Sequence, residues 1–258
     1  MGLSIAQARI IENTIKESIR NKFRTYDPES KNMPFHYRLL GKDRMALYSF
    51  IQSVNTTFGT SIFEPVAEVL SKDHFVDAQK QFRVGNHISS AAQTEIQQIM
   101  NSLSNGHDPN TDAEIERIRR AVDQGEINTM RTTNVDLYVK DSMDSVHLFD
   151  LKTAKPNIGN FKDCKRTLLE WKAIYLLEHP KVDVHAYIAI PYNPYEPGPY
   201  QRWTLRGMFD LKNELMIADE FWDFLGGLGT YNDLLNCFER AGIELRPEID
   251  DYFIKFNR

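Results

Sequence analysis

Cysteine is nearly absent from this chain. Of 258 residues only Cys164 and Cys237 carry thiols, too few for a disulfide framework or a cysteine metal cluster. The seven histidines lie far apart, without zinc-ligand spacing. No apolar run reaches the roughly 18 residues that cross a bilayer. The opening stretch, MGLSIAQARIIENTIKESIR, is polar and helical and lacks a signal peptide's apolar block. Gly2 invites a myristoylation reading, but Ala6 stands where the motif has Ser or Thr and argues against it. The prolines and glycines are scattered and form no linker, and no repeat or low-complexity tract is present. These absences exclude a helical membrane protein, a disulfide-stapled secreted domain and a zinc module. What remains is a globular chain expected in the cytoplasm, large enough for one sizeable domain.

A surplus of positive charge is also missing. The net charge is −5, which argues weakly against a nucleic-acid partner. Its distribution argues the other way. Residues 1–44 hold nine Lys/Arg against five Asp/Glu, residues 151–181 seven against three, and residues 219–258 four against nine. Two readings are open: a basic face on an acidic body, or ordinary solvated helix faces.

Ile11, Ile15, Ile19 and Phe23 recur every four residues and predict an amphipathic helix that ends before Pro28. Further helices are expected at Lys42–Thr56, from a Ser61/Glu64 capping box through Leu70, at 90–103, and at 111–124 behind a Thr111/Glu114 capping box. The period then changes. TTNVDLYVK and VHLFDLK alternate as strands around the turn DSMDS. A helix is expected from Asn160 to about Glu178, then a central strand VHAYIAIPY and another strand YQRWTLRG. From Asp219 the chain reads as helices, one ending at glycines and the next at Gly242. The expected architecture is α/β, one domain over 1–258. It divides into a helical part (1–125), a sheet with its crossover helix (130–210) and a helical C-terminal part (211–258).

A hairpin centred on Met143 sets Asp136 opposite Asp150, where Cβ atoms stand roughly 4.5–5.5 Å apart. Lys152, two residues on, shares the face of Asp150. Two carboxylates that close repel unless something neutralises them. Mg²⁺ does so, taking one or two carboxylates with waters and phosphate oxygens. The bland alternative is a surface hairpin on which Lys152 pairs with an aspartate.

These residues resemble the PD-(D/E)xK nucleases, with Asp136 and Asp150 as the acids and Lys152 as the lysine. FGTSIFEPVAEVL, NVDLYVKD, FDLKTAKPNIGNFK, AIPYNPYEPGPYQRWTLRGMFDL and DEFWDFLGGLGTYNDLL together are similar to the type II restriction endonucleases grouped with TdeIII. The departures are mild: Val135 precedes Asp136 where the motif has proline, and the second acid is Asp. The resemblance implies a restriction-endonuclease-like core, a mixed β-sheet flanked by α-helices. It also implies Mg²⁺-dependent hydrolysis of double-stranded DNA at a specific site, leaving 5′-phosphate ends. Asp136, Asp150 and the Leu151 carbonyl would hold the metal, and Lys152 would orient or deprotonate the attacking water. Glu64 either completes the site or only closes its capping box, and Glu68 is the alternative acid. A GC-rich target such as GGNCC is implied, as is a homodimer, because one site cuts one strand of a two-fold duplex.

Basic residues beside such a site commonly meet phosphates. Lys155 and Asn157 after the strand, and Lys162, Lys165 and Arg166 on the next helix, are the candidates. Leu168, Leu169, Trp171, Ile174 and Tyr175 read as core. YNPYEPGPYQRWTLRG is a stiff Pro-Tyr loop. Its Arg202, Trp203 and Arg206 are candidates for base reading, since arginine suits guanine O6 and N7. Pairing of those arginines with the acidic C-terminal helices is the other reading.

Overall fold

The computed structural model describes residues 2–28, 32–131, 134–152, 161–201, 205 and 207–254. In chain order its elements are α1 (Ile5–Thr25), α2 (Pro34–Leu40), α3 (Lys42–Phe58), a π-helical turn (Gly59–Phe63), α4 (Glu64–Ser71), β1 (Asp77–Arg83), β2 (His87–Ser89), α5 (Ser90–Ser104), α6 (Thr111–Ala121), β3 (Ile127–Thr129), β4 (Asn134–Lys140), β5 (Val146–Leu151), α7 (Phe161–Glu178), β6 (Val184–Ile190), β7 (Leu215–Ile217), α8 (Asp219–Gly226) and α9 (Thr230–Ile254). Backbone contacts divide the chain into two units, residues 71–225 and residues 1–70 with 226–258. The mixed sheet flanked by helices agrees with the expected restriction-endonuclease-like fold.

In residues 71–225 the sheet runs β1-β4-β5-β6-β7. β1, β4 and β5 are antiparallel; β5, β6 and β7 are parallel. β4 and β5 pair about the predicted turn, Leu137 opposite Phe149 and Lys140 opposite Val146. The turn holds that register chemically. Asp141 Oδ1 accepts the Met143 and Ser145 N–H groups, each at 2.9 Å, and Asp144 takes the left-handed conformation at φ 71°. Burial opposes the Asp141 charge, but these N–H bonds and His147 outweigh it and lower the pKa.

Val146 to Asp150 are all buried, as expected for a strand covered on both faces. Val146, Leu148, Ala186 and Ile188 share a core with α5, α6 and α7. The other face carries Phe149, stacked on Tyr187 at 5.1 Å and packed on Phe221 and Phe224. Parallel strands need a crossover, and α7 supplies it between β5 and β6.

Two expectations change here. Tyr200 and Gln201 lie outside any strand, and the edge strand is Leu215–Ile217. The Leu205 carbonyl instead accepts the Met208 and Phe209 N–H groups, so a turn delivers these apolar side chains to the core. The cap of α6 is Asn110, whose side chain accepts the Ala113 N–H at 2.9 Å; Thr111 is the first helical residue.

In the other unit, α1 and α9 lie side by side. Glu12 pairs with Arg240, Lys16 with Glu244 and Arg20 with Glu248. Part of the basic excess of residues 1–44 therefore meets the acidic excess of residues 219–258. α9 continues through Gly242 and Pro247 and does not end at the glycine. Ser61 and Glu64 form no capping box, because helical backbone runs unbroken from Lys42 to Ser71. Pro65 explains the π-helical turn. Its ring would crowd the Ser61 carbonyl in an unbroken α-helix. The Glu64 N–H reaches instead to the Gly59 carbonyl, five residues back.

Candidate active site

The β4–β5 ladder stops at Leu137 and Phe149. One step further, Asp136 and Asp150 face each other and a side chain replaces the backbone acceptor: Asp136 Oδ2 accepts the Leu151 N–H at 2.8 Å. Both carboxyl groups accept hydrogen bonds from other donors: Asp136 from the Leu151 N–H and Gln81, Asp150 from Lys152. Lys152 Nζ donates to Asp150 Oδ1 at 2.5 Å. The Lys152 backbone N–H donates to the Ala189 carbonyl at 2.9 Å, which ties the strand end to β6. Strand alternation therefore delivers Asp136, Asp150 and Lys152 to one face, beyond Tyr138 and Leu148.

Burial sets the electrostatics. Asp150 is buried, which raises its pKa, while the charge and hydrogen bond of Lys152 pull it partly back. Burial alone would lower the Lys152 pKa; the charge and hydrogen bond of Asp150 reverse this, and the net direction is up. Cys164, on the first turn of α7, lies close enough to feel both charges. Burial first and the Asp150 charge second push its thiol to about 11, so it stays protonated and non-nucleophilic at neutral pH.

The donor set fits Mg²⁺. It offers hard carboxylate oxygens and leaves positions for water and phosphate. Among the described residues no group of three or more His, Cys, Asp and Glu could hold a metal ion, so a cage built from protein alone is not on offer there.

Sequence reasoning missed Gln81. This β1 residue donates from Nε2 to Asp136 Oδ1 at 3.3 Å, and its Oε1 accepts from Asn134 Nδ2 at 3.4 Å. Its φ of 51° is left-handed, a conformation that burdens a residue with a Cβ. Nothing in DAQKQFR marks it, since the strand is a polar edge. Gln81→Gly is expected to keep or raise the melting temperature by relieving φ, while lowering the turnover rate roughly 10-fold through a loosened Asp136. Thermal melts and cleavage time courses on one preparation measure both.

Other expected residues lie elsewhere. Lys165 was expected on phosphates but is 0% exposed. Its ammonium sits on Glu114 at 2.5 Å and Glu214 at 2.6 Å. Arg166 is half-buried and donates to Gln97 at 2.7 Å. Lys162 is exposed at the start of α7, and Leu168, Leu169, Trp171, Ile174 and Tyr175 are core as expected. Glu64 is buried in α4, which belongs to the other unit up to Leu70. Lys155, Asn157, Arg202, Trp203 and Arg206 lie outside the described residues.

Comparison with known families decides what this geometry belongs to. The model of the type II restriction endonuclease HinfI matches residues 3–242. The chain belongs to the HinfI family of type II restriction endonucleases. Curated relatives agree. The type II restriction enzyme HgiCII of Herpetosiphon aurantiacus is 27% identical over 221 residues, covering 84% of this chain and 80% of its own. HgiEI of the same organism is 28% identical over 222 residues, with coverage of 84% and 79%. MjaII of Methanocaldococcus jannaschii is 30% identical over 252 residues, covering 84% of this chain and 66% of its own. The expected restriction endonuclease is thus met at the level of the HinfI family; these matches do not name the TdeIII group. The matched span of this HinfI-family endonuclease contains Gln81, Asp136, Asp150 and Lys152.

Proposed function

We propose that this endonuclease hydrolyses double-stranded DNA at a specific sequence, in a Mg²⁺-dependent reaction, as the restriction arm of a restriction–modification system. The observation that carries the reading is the cluster of Asp136, Asp150 and Lys152 at the end of a strand buried on both faces. Two facing carboxylates with one ammonium beside them leave negative charge that a divalent cation would neutralise. Asp136 and Asp150 would hold Mg²⁺, together with the Leu151 carbonyl, which in a strand points the same way as its N–H. When bound, the ion polarises the scissile phosphate and acidifies a water. Lys152 orients the attacking water and offsets charge growing on the phosphate. Lys162, exposed on α7, contacts a neighbouring phosphate. The Pro-Tyr loop, with Arg202 and Arg206, reads bases. A homodimer follows from the need to cut two strands. The proposed target is GC-rich, such as GGNCC; its support is the sequence resemblance alone.

Digestion of a mixed plasmid panel tests this. Discrete fragments are expected with Mg²⁺, none with a chelator, and full recovery when Mg²⁺ is restored. Sequencing the ends should give one motif and one cut position with 5′-phosphates. Cleavage confined to branched DNA would replace the reading with a repair nuclease, and binding without cleavage in Mg²⁺ or Mn²⁺ would remove the enzymatic claim.

A further inference from the structure

The described arginines of residues 71–225 divide into two groups. Arg117 pairs with Glu95 and Arg120 with Glu116. Arg119 donates to the Pro180 and Val182 carbonyls, and Arg166 donates to Gln97. Arg83 and Arg131 are exposed and have no hydrogen-bond or ion-pair partner among the described residues.

These two arginines lie at one corner of the sheet, beside Asp136. Arg83 ends β1. β1 and β4 are antiparallel, and Arg83 stands opposite Asn134, so it is at the end of the sheet that carries Asp136. Phe82 stacks on Tyr138 at 4.2 Å and Val84 is buried in the same core, so the residue between them is turned outward. Asn134 links this position to the site: its Nδ2 donates to Gln81, and Gln81 donates to Asp136. Arg131 reaches the same corner by another route. The neighbouring Met130 N–H donates to the Asn86 carbonyl at 2.8 Å, just beyond Arg83, and Asn134, just after Arg131, is the residue opposite Arg83.

Charge on an edge strand can serve only to keep other strands from pairing with it. Lys80, exposed in the middle of β1, suits that purpose. Arg131 lies outside any strand, so edge protection does not account for it. Two guanidinium groups left without a carboxylate beside a facing pair of aspartates are matched to an anion from outside. Phosphate is the anion that the chemistry of the site brings there. With the scissile phosphate at Asp136 and Asp150, the next phosphates of the same DNA strand lie one nucleotide step to either side. Gln81 touches Asp136, and Arg83 is two residues of strand beyond it, about 7 Å, comparable with that step. A guanidinium fork takes two phosphate oxygens at once.

We propose that Arg83 and Arg131 grip the backbone of the cleaved DNA strand next to the scissile phosphate. The proposal rests on the reading of Asp136, Asp150 and Lys152 as the cleaving centre. The two arginines take the part expected of Lys165 and Arg166, whose polar groups are bonded within the fold. Phosphate contacts set the register of the duplex and carry no sequence information themselves.

Binding of a short labelled duplex of random sequence, followed through a salt series with chelator present so that nothing is cut, tests the proposal. The slope of log affinity against log salt is expected to shrink by about 0.9 in Arg83→Ala, by about 0.9 in Arg131→Ala and by about twice that in the double variant. Arg83→Lys keeps the charge and should keep most of the slope. Lys181→Ala removes an exposed lysine at the other end of the sheet, where Val184 pairs with Val146, and should leave the slope unchanged. Both arginines are exposed, so every variant should melt as wild type does. An unchanged slope in both alanine variants would overturn the proposal. So would a lowered melting temperature with the slope intact, the mark of a structural role. Cleavage at relaxed sequences with the slope intact would make the arginines base readers and overturn it as well. Slopes that shrink as expected in a protein inert on all DNA would leave the phosphate contacts standing and remove the endonuclease reading instead.

Discussion

Lys152→Ala is expected to slow plasmid cleavage by about 10²–10³-fold, the usual loss when a charged donor is removed from a reacting centre. Specific DNA binding should change little. Lys152 is the cation bonded to Asp150, and its raised pKa keeps it an ammonium. A general base must give up its proton first; Asp150 opposes that. On the proposed reading Lys152 therefore holds water and phosphate and does not deprotonate. Lys152→Arg should not rescue the rate, because a planar fork cannot replace a compact point charge at 2.5 Å from a carboxylate. Asp136→Asn is the companion test. The amide oxygen still accepts the Leu151 N–H, so the fold should hold while metal-dependent cleavage falls. Single-turnover rates beside filter-binding constants separate chemistry from affinity. Lys152→Ala cleaving within tenfold of wild type would remove Lys152 from the chemistry.

The hairpin was legible because its information is local. Alternation in both arms, a turn rich in Asp and Ser, and the opposition of Asp136 to Asp150 all lie within residues 134–152. β1 was not legible: a polar edge strand with only Ala78 buried carries no apolar alternation, so Gln81 stayed invisible. Lys165 was misread for a related reason. Lys162, Lys165 and Arg166 look like one basic face, and the carboxylates that draw Lys165 inward lie 51 and 49 residues away in sequence. Gly242 and Pro247 are stop signals that α9 overrides, since pairing with α1 along its length outweighs local punctuation. The folding of residues 1–70 together with 226–258 is likewise non-local.

The buried cluster around Lys165 yields the largest expected change in stability. Glu214→Gln should destabilise the protein by about 3–5 kcal/mol, the cost of breaking a buried pair from one side. Glu214 bonds Lys165 through both oxygens, at 2.6 and 2.8 Å, and Lys172 at 3.3 Å. Without its charge, two buried ammonium groups share Glu114 alone. That loss is a large part of a typical stability of about 5–15 kcal/mol, so the urea midpoint should fall steeply at unchanged slope. Lys172→Met combined with Glu214→Gln leaves the neutral Lys165–Glu114 pair and should recover most of the loss. The pH dependence follows from Lys172. Burial first, with Lys165 adding, lowers its pKa below 10.5 against the pull of Glu214. Between that lowered value and 10.5 the folded state binds fewer protons than the unfolded chain, so stability should rise with pH across this window. Lys172→Met removes the titrating group and should flatten the rise. An equal slope in wild type and Lys172→Met would mean that the cluster holds Lys172 at its ordinary pKa, and that its carboxylates fully offset burial.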